Sequence, residues 1–311
     1  MSSYTSILEN FTIDTLPDLD TVALGALELF EGTDVPDVDL YRFKRPLVVG
    51  SGNAAITGRL LFDDVDAVFA DESTYVEKLT SIPSIDGAFL ISASGSKHAI
   101  PIMERLTQAD IPVALLTNTP DSPASAFLPP ENVFVFPKNR EPYTYNTSTY
   151  MGMLFSKTHE NPGRIRAFIE STVIPAIPED LASHSAFFFI LPQRFSEMRG
   201  MFQTKFDELF GPMIVGRIFT LEQTKHAKTV IPHPSELFVS FGEENTVFGD
   251  PARRLTIPLP EDCDYAGMMA IAYVFIGHIQ RQLTPWYKER IAAYAKETST
   301  AFGTKIDPIV S

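Results

Sequence analysis

The stretch Ala88-Phe89-Leu90-Ile91-Ser92-Ala93-Ser94-Gly95-Ser96-Lys97-His98 joins a short apolar run to a turn of small hydroxylated residues. An apolar run of this length fits a strand buried on both faces. The Ser-x-Ser-Gly-Ser that follows gathers backbone N–H groups and side-chain hydroxyls where the next helix should begin. Such a turn suits an anionic oxygen, but Ser and Gly serve turns equally well for backbone geometry alone. The surrounding sequence has to separate the two.

Outward from this stretch, short apolar runs alternate with helical ones, the pattern of a mainly parallel sheet covered by helices. Before it, Leu47-Val48-Val49 runs into Gly50-Ser51-Gly52-Asn53 and a helical stretch from Ala54 to Phe62, and Ala67-Val68-Phe69 reads as a further strand. After it come strands at Val113 to Leu116 and Val133 to Phe136, then Lys138-Asn139-Arg140-Glu141-Pro142, a hydroxyl-rich run from Tyr143 to Tyr150, and a helix from Met151. Prolines at 175 and 178 punctuate the chain, and the pattern restarts. Strands are expected at Ala186 to Leu191, Met213 to Phe219, Leu237 to Phe241 and Leu255 to Leu259. Helices are expected at Glu197 to Phe210, Thr220 to Thr229, Ala266 to Leu283 and Pro285 to Lys296. The reading is an α/β chain with a duplicated unit: an N-terminal helical arm over residues 1–40 and two domains over residues 41–175 and 176–311. In the arm, Leu24, Leu27 and Phe30 mark one short amphipathic helix that ends at Gly32.

With 311 residues and 44% hydrophobic content the chain can bury a substantial core. A net charge of −14 without a basic block argues against nucleic acid or an anionic membrane as the main partner, and the arm is too short and acidic for a helix-turn-helix reader. No segment approaches the roughly 20 apolar residues of a membrane span, and the N-terminus lacks a secretory pattern. The single cysteine, Cys263, permits no intramolecular disulfide, and the cytoplasm is the expected compartment. Gly50-Ser51-Gly52 does not complete the Gly-x-Gly-x-x-Gly pattern, so no nicotinamide cofactor is expected. His159, His184, His233 and His278 make no short-spacing ligand pattern, so no metal site is expected either.

Taken together, these segments resemble the sugar isomerase (SIS) domain family, in particular chains with two such domains in tandem, among them bifunctional phosphoglucose/phosphomannose isomerases. Leu90 to Ser96 looks like the family's Ser-x-Ser-Gly-x-Thr phosphate loop. Leu116-Thr117-Asn118 with Ser122-Pro123-Ala124, and the Ser148-Thr149 pair, follow in the family's order. Lys205-Phe206-Asp207-Glu208-Leu209-Phe210-Gly211 is similar to the segment that carries the catalytic glutamate, and His226 lies downstream as the ring-opening histidine does. The resemblance implies two three-layer α-β-α sandwiches and a phosphosugar ligand. It also implies a homodimer with active sites near the subunit contact, the histidine often coming from the partner chain. Lys97 stands where the family has threonine, Pro101 suggests a helix that starts later than usual, and Asn53 and Ala54 replace a glycine and a ligand-binding serine.

The implied reaction is aldose–ketose isomerisation of a hexose phosphate, glucose or mannose 6-phosphate to fructose 6-phosphate, without a cofactor. One carboxylate removes the proton beside the carbonyl and returns it to the neighbouring carbon. Glu208 is the candidate base, and Lys205, three residues earlier on the same helical face, could hold its charge or touch a substrate oxygen. A solvated surface pair is the plainer alternative for those two. His226 would open the sugar ring, with His98 ranked behind it. Arg140 would stabilise the enediolate, and Lys305 matches a C-terminal family lysine by position. Gly50, Ser51, Gly52, Asn53, Ser92, Ser94, Gly95, Ser96 and Lys97 would meet the phosphate. Two other functions remain open: a non-catalytic phosphosugar-binding protein, and an isomerase or deglycase of amino-sugar phosphates.

Overall fold

The structure is a computed structural model and describes residues 3–311. Contacts group the chain into two compact units that do not follow its linear order. One, the five-stranded unit, comprises Thr33–Lys138 and Thr149–His159; the other, the four-stranded unit, comprises the chain through Gly32, Asn139–Ser148 and Glu160–Ser311.

In the five-stranded unit, β1 (Pro46–Gly50), β2 (Val68–Ala70), β3 (Gly87–Ile91), β4 (Val113–Thr117) and β5 (Val133–Val135) form a parallel sheet in the order β2-β1-β3-β4-β5. Every residue of β1, β3 and β4 is buried, which is why these strands read as unbroken apolar runs rather than alternating ones. One face of the sheet presents Leu47, Val49, Ala88, Leu90 and Leu115 to Ile102, Met103 and Leu106 of the helix Ala99–Gln108. On the opposite face Phe89 sits between Phe43 and Phe62, with ring centroids 5.5 and 4.5 Å away, and Gly58 of the helix Asn53–Leu61 lies against Val48 and Ile91. Helices cover both faces, giving the three-layer sandwich expected here.

In the four-stranded unit, a short strand β6 (Glu141–Pro142) precedes a second parallel sheet made of β7 (Ala186–Leu191), β8 (Val215–Thr220), β9 (Glu236–Phe241) and β10 (Arg254–Ile257). Its order, β8-β7-β9-β10, repeats that of the first four strands of the other sheet. The layers are less regular. Phe187 and Phe189 pack on Phe206 and Phe275 of the helices Arg199–Phe210 and Tyr265–Gln282. The opposite face holds a small cluster, Phe188, Ile190 and Phe238 with Phe219, Leu221 and Phe248. The helix expected over Thr220 to Thr229 is cut to the single turn Leu221–Thr224. A Thr220/Gln223 capping box starts it, and no apolar periodicity sustains it before Ala227 takes a left-handed φ of 57°.

The N-terminal segment holds two helices, Tyr4–Asn10 and Leu19–Gly32, and the second packs on Tyr265–Gln282. Leu19 N donates to Gln280 Oε1 at 2.9 Å. At the crossing, a Cβ on Gly277 would lie 2.0 Å from the backbone nitrogen of Asp20. Gly277→Ala should therefore destabilise the fold by about 2–3 kcal/mol through overpacking against backbone that cannot yield. A urea midpoint equal to that of the parent chain would show that the helices have room after all. A last strand, β11 (Ile309–Val310), pairs antiparallel with β6. Cys263 is buried, and burial pushes its thiol up to about 12, which removes it as a nucleophile at neutral pH. Among the described residues no helix is long and apolar enough to cross a membrane.

Candidate active site

Strand order reverses at β1 and β3 of the five-stranded sheet, the place where open α/β sheets leave a crevice at their carboxyl ends. Gly50 is in register with Ile91, so the turns that follow the two strands begin side by side. They enclose a cavity of about 150 Å³. Gly50, Ser51, Ser92, Ser94, Ser96, Lys97 and His98 line it, together with Tyr150, and among the described residues no Asp or Glu does.

The Ser92–His98 turn is fixed by backbone contacts. Ala93 O accepts from Asn118 N and Thr117 Oγ1, both at 3.0 Å, and Gly95 O accepts from Ala124 N at 2.9 Å. Gly95 has φ 55°, and a Cβ there would stand 2.3 Å from Ser122 Oγ; no other residue fits. Ser94 and Ser96 Oγ are 2.7 Å apart. Lys97 takes φ 47°, a left-handed conformation that a non-glycine residue seldom adopts, and its side chain is exposed. The helix begins at Ala99, two residues before Pro101, which occupies a first-turn position where its missing N–H costs nothing. Among the expected phosphate residues, Gly52 and Gly95 shape the turns without lining the cavity. Asn53 opens a helix and is 8% exposed, with a buried Oδ1 that has no hydrogen-bond partner among the described residues.

The four-stranded unit holds the other group of expected residues. Lys205 is completely buried; its ammonium donates to Glu208 Oε2 and to Thr144 O, both at 2.7 Å, and lies 5.6 Å from the centre of the Tyr273 ring. The pair is thus no solvated surface contact. Glu208, 24% exposed, lines a cleft of about 780 Å³ with Thr144, Trp286, Tyr287 and Tyr294. Thr144 has φ 77°, unusual for a β-branched residue, and Tyr287 OH donates to the neighbouring Tyr143 O.

Beside this turn, buried Glu141 accepts from Thr147 N at 2.6 Å and Ser148 N at 2.7 Å, and from Ser148 Oγ, capping the helix that starts at Thr147. Burial raises the Glu141 carboxyl above the ordinary glutamate range, against the pull of Ser148, Thr147 and Lys205. The folded chain thus holds this proton more tightly than the unfolded one. The resulting stabilisation is full below the ordinary value and is lost as pH rises through the raised folded value. Glu141→Gln should flatten that slope in urea midpoints taken between about pH 4 and about pH 8; an unchanged slope would assign it to other groups.

The remaining candidates lie elsewhere. His226 is exposed in the turn after Leu221–Thr224 and does not line the Glu208 cleft. Arg140 needs correcting: its guanidinium donates to Phe11 O at 2.7 Å and lies 4.2 Å from the Phe11 ring centre, so it anchors the N-terminal segment instead of facing a ligand. Lys305 is likewise misplaced for a site, being 84% exposed and paired with Asp307 at 2.9 Å. Sequence reasoning missed Tyr150, Thr144, Tyr287 and Glu141. Only Glu141 left a signal, an acidic residue shortly before a Thr-Ser helix start.

Two parallel sheets of one strand order, the first with a serine-rich turn at its switch point, make up the fold. Solved structures of that fold match nearly the whole chain. The C-terminal domain of glucosamine-fructose-6-phosphate aminotransferase from Francisella tularensis aligns over 88% of this chain and 98% of its own, at TM-score 0.65 and 12% identity. Glucosamine-6-phosphate deaminase from Thermotoga maritima aligns over 91% and 96%, at TM-score 0.57 and 14% identity. Tagatose-6-phosphate ketose/aldose isomerase from Escherichia coli aligns over 91% and 92%, at TM-score 0.53 and 12% identity. No family model and no curated protein matches the sequence.

Proposed function

We propose that the chain is a phosphosugar isomerase that interconverts the aldose and ketose forms of a hexose phosphate. The observation that carries this reading is the β1/β3 cavity. In a protein of net charge −14, it is lined by hydroxyls, a helix N-terminus, Lys97 and His98, and by no carboxylate. Serine hydroxyls and first-turn amides would hold phosphate oxygens, and Lys97 would add a full charge. Glu208 is assigned the proton transfer through an enediol, with its carboxylate held by Lys205. His226, exposed on its turn, is assigned ring opening, contributed to a second copy of the chain in a homodimer. The solved structures of the same fold whose names include sugar phosphates support this reading by analogy.

Fructose 6-phosphate incubated with the protein in deuterated water tests it. Glucose or mannose 6-phosphate carrying one deuterium at C2 is the expected product. Thermal stabilisation by the sugar phosphate without exchange would leave a binding protein in place of an enzyme, and neither effect would remove both.

A further inference from the structure

We propose that Tyr287 is a positioning residue for Glu208, acting through the backbone turn at Tyr143–Thr144. The Lys205 ammonium that holds the Glu208 carboxylate has a second acceptor, Thr144 O, at the same 2.7 Å. Where that carbonyl points therefore decides where the ammonium sits. Thr144 presents it from a left-handed φ of 77°, a conformation that a β-branched residue leaves unless its surroundings hold it there. Asn146, two residues on, is left-handed as well, with φ 46°. A turn with two such residues needs clamps.

Tyr287, the second residue of the helix Trp286–Phe302, supplies one. Its hydroxyl donates to Tyr143 O and lies against the Thr144 hydroxyl. Tyr143 O belongs to the peptide plane that precedes the Thr144 Cα, and φ of Thr144 is the rotation about the bond joining that plane to the Cα, so a donor fixed on this oxygen fixes the strained angle. Burial pushes the Tyr287 hydroxyl above the ordinary tyrosine range, which keeps it a donor at any working pH. The side chain is itself braced: it is 7% exposed, and its ring centre is 5.2 Å from that of Tyr145, whose hydroxyl accepts from Gln280 Nε2 at 2.9 Å. On the other side of Tyr143, its N–H donates to Pro308 O at 2.9 Å. The line of contacts thus runs from Tyr287 through the turn to Lys205 and from there to the carboxylate. What that carboxylate does rests on the isomerase reading, but the holding of Lys205 needs no turnover.

Tyr287→Phe removes one oxygen and keeps the ring, and it tests the proposal on the full chain. With fructose 6-phosphate in deuterated water it should lower kcat for deuterium exchange about tenfold and leave KM within about twofold, since the base is displaced and no ligand contact is lost. In a Lys205→Met background the same substitution should change kcat by less than about twofold, because the carbonyl it positions has no ammonium left to hold. Urea midpoints follow the same coupling without turnover. The downward shift caused by Tyr287→Phe should be at least halved in Lys205→Met, or in Lys205→Met, Glu208→Gln where the single variant is too unstable to measure. If the parent chain exchanges no deuterium, the isomerase reading fails, and the midpoints alone decide whether Tyr287 holds Lys205. In an active parent, an unchanged kcat, a loss carried by KM, or an equal fold-loss in both backgrounds would overturn the proposal; equal midpoint shifts would overturn it with or without activity.

Discussion

Glu208→Gln should slow solvent deuterium incorporation into fructose 6-phosphate by about three orders of magnitude, within the range that a positioned general base contributes. Glutamine keeps the shape of the side chain and an oxygen for the Lys205 ammonium, so the 2.7 Å contact can survive while the basic carboxylate is lost. The experiment then isolates proton transfer from folding. Binding of the sugar phosphate, followed by thermal shift, should change little, because the cavity proposed to hold the phosphate is built from other residues. A variant that exchanges at the parental rate would remove Glu208 as the base. One that loses binding along with exchange would make it a ligand contact instead.

Lys205→Met should destabilise the four-stranded unit by about 2–3 kcal/mol. Breaking one side of a buried ion pair typically costs about 3–5 kcal/mol, and the 24% exposure of Glu208 lets water compensate part of that. The loss has three sources in the geometry: the Glu208 carboxylate loses its cation, Thr144 O loses its donor, and buried Glu141 loses a nearby positive charge. Methionine fills most of the vacated space, which keeps a packing defect from dominating. In the double variant Lys205→Met, Glu208→Gln the lone carboxylate is gone too, and at least half of the lost stability should return. Urea denaturation of the two single variants and the double one closes the cycle; strict additivity would show that the pair is not coupled.

Much of the sheet framework was legible because its central strands are buried on both faces. Ala88 to Ile91, Val113 to Leu116 and Ala186 to Leu191 are unbroken apolar runs for that reason, and the serine-rich turn follows one of them as read. Position along the chain said less about side-chain partners. Arg140 follows β5 as a phosphate or enediolate ligand might, yet its guanidinium is spent on a carbonyl nearly 130 residues away, at Phe11. Lys205 and Glu208 read as an ordinary i,i+3 pair, since nothing local shows that the lysine is wholly buried. The stretch after β8 overstated a helix because polar residues with good helix propensity occupy it without an apolar stripe to dock. β6, in mid-chain, and β11, near the last residue, have two residues each, too short for any periodicity to register.

The pairing of Glu141–Pro142 with Ile309–Val310 has a consequence for how the protein is made. A chain emerging from a ribosome can assemble the five-stranded unit once residue 159 is out. The four-stranded unit cannot be completed until the last residues have followed, since its Leu19–Gly32 helix must wait for Tyr265–Gln282 and β6 for β11. At synthesis speeds of about 5–20 residues per second, Val22, Leu24 and Leu27 stay without the Tyr265–Gln282 helix for about 12–50 seconds. During that interval the apolar face of the Leu19–Gly32 helix lacks the partner that buries it in the folded protein.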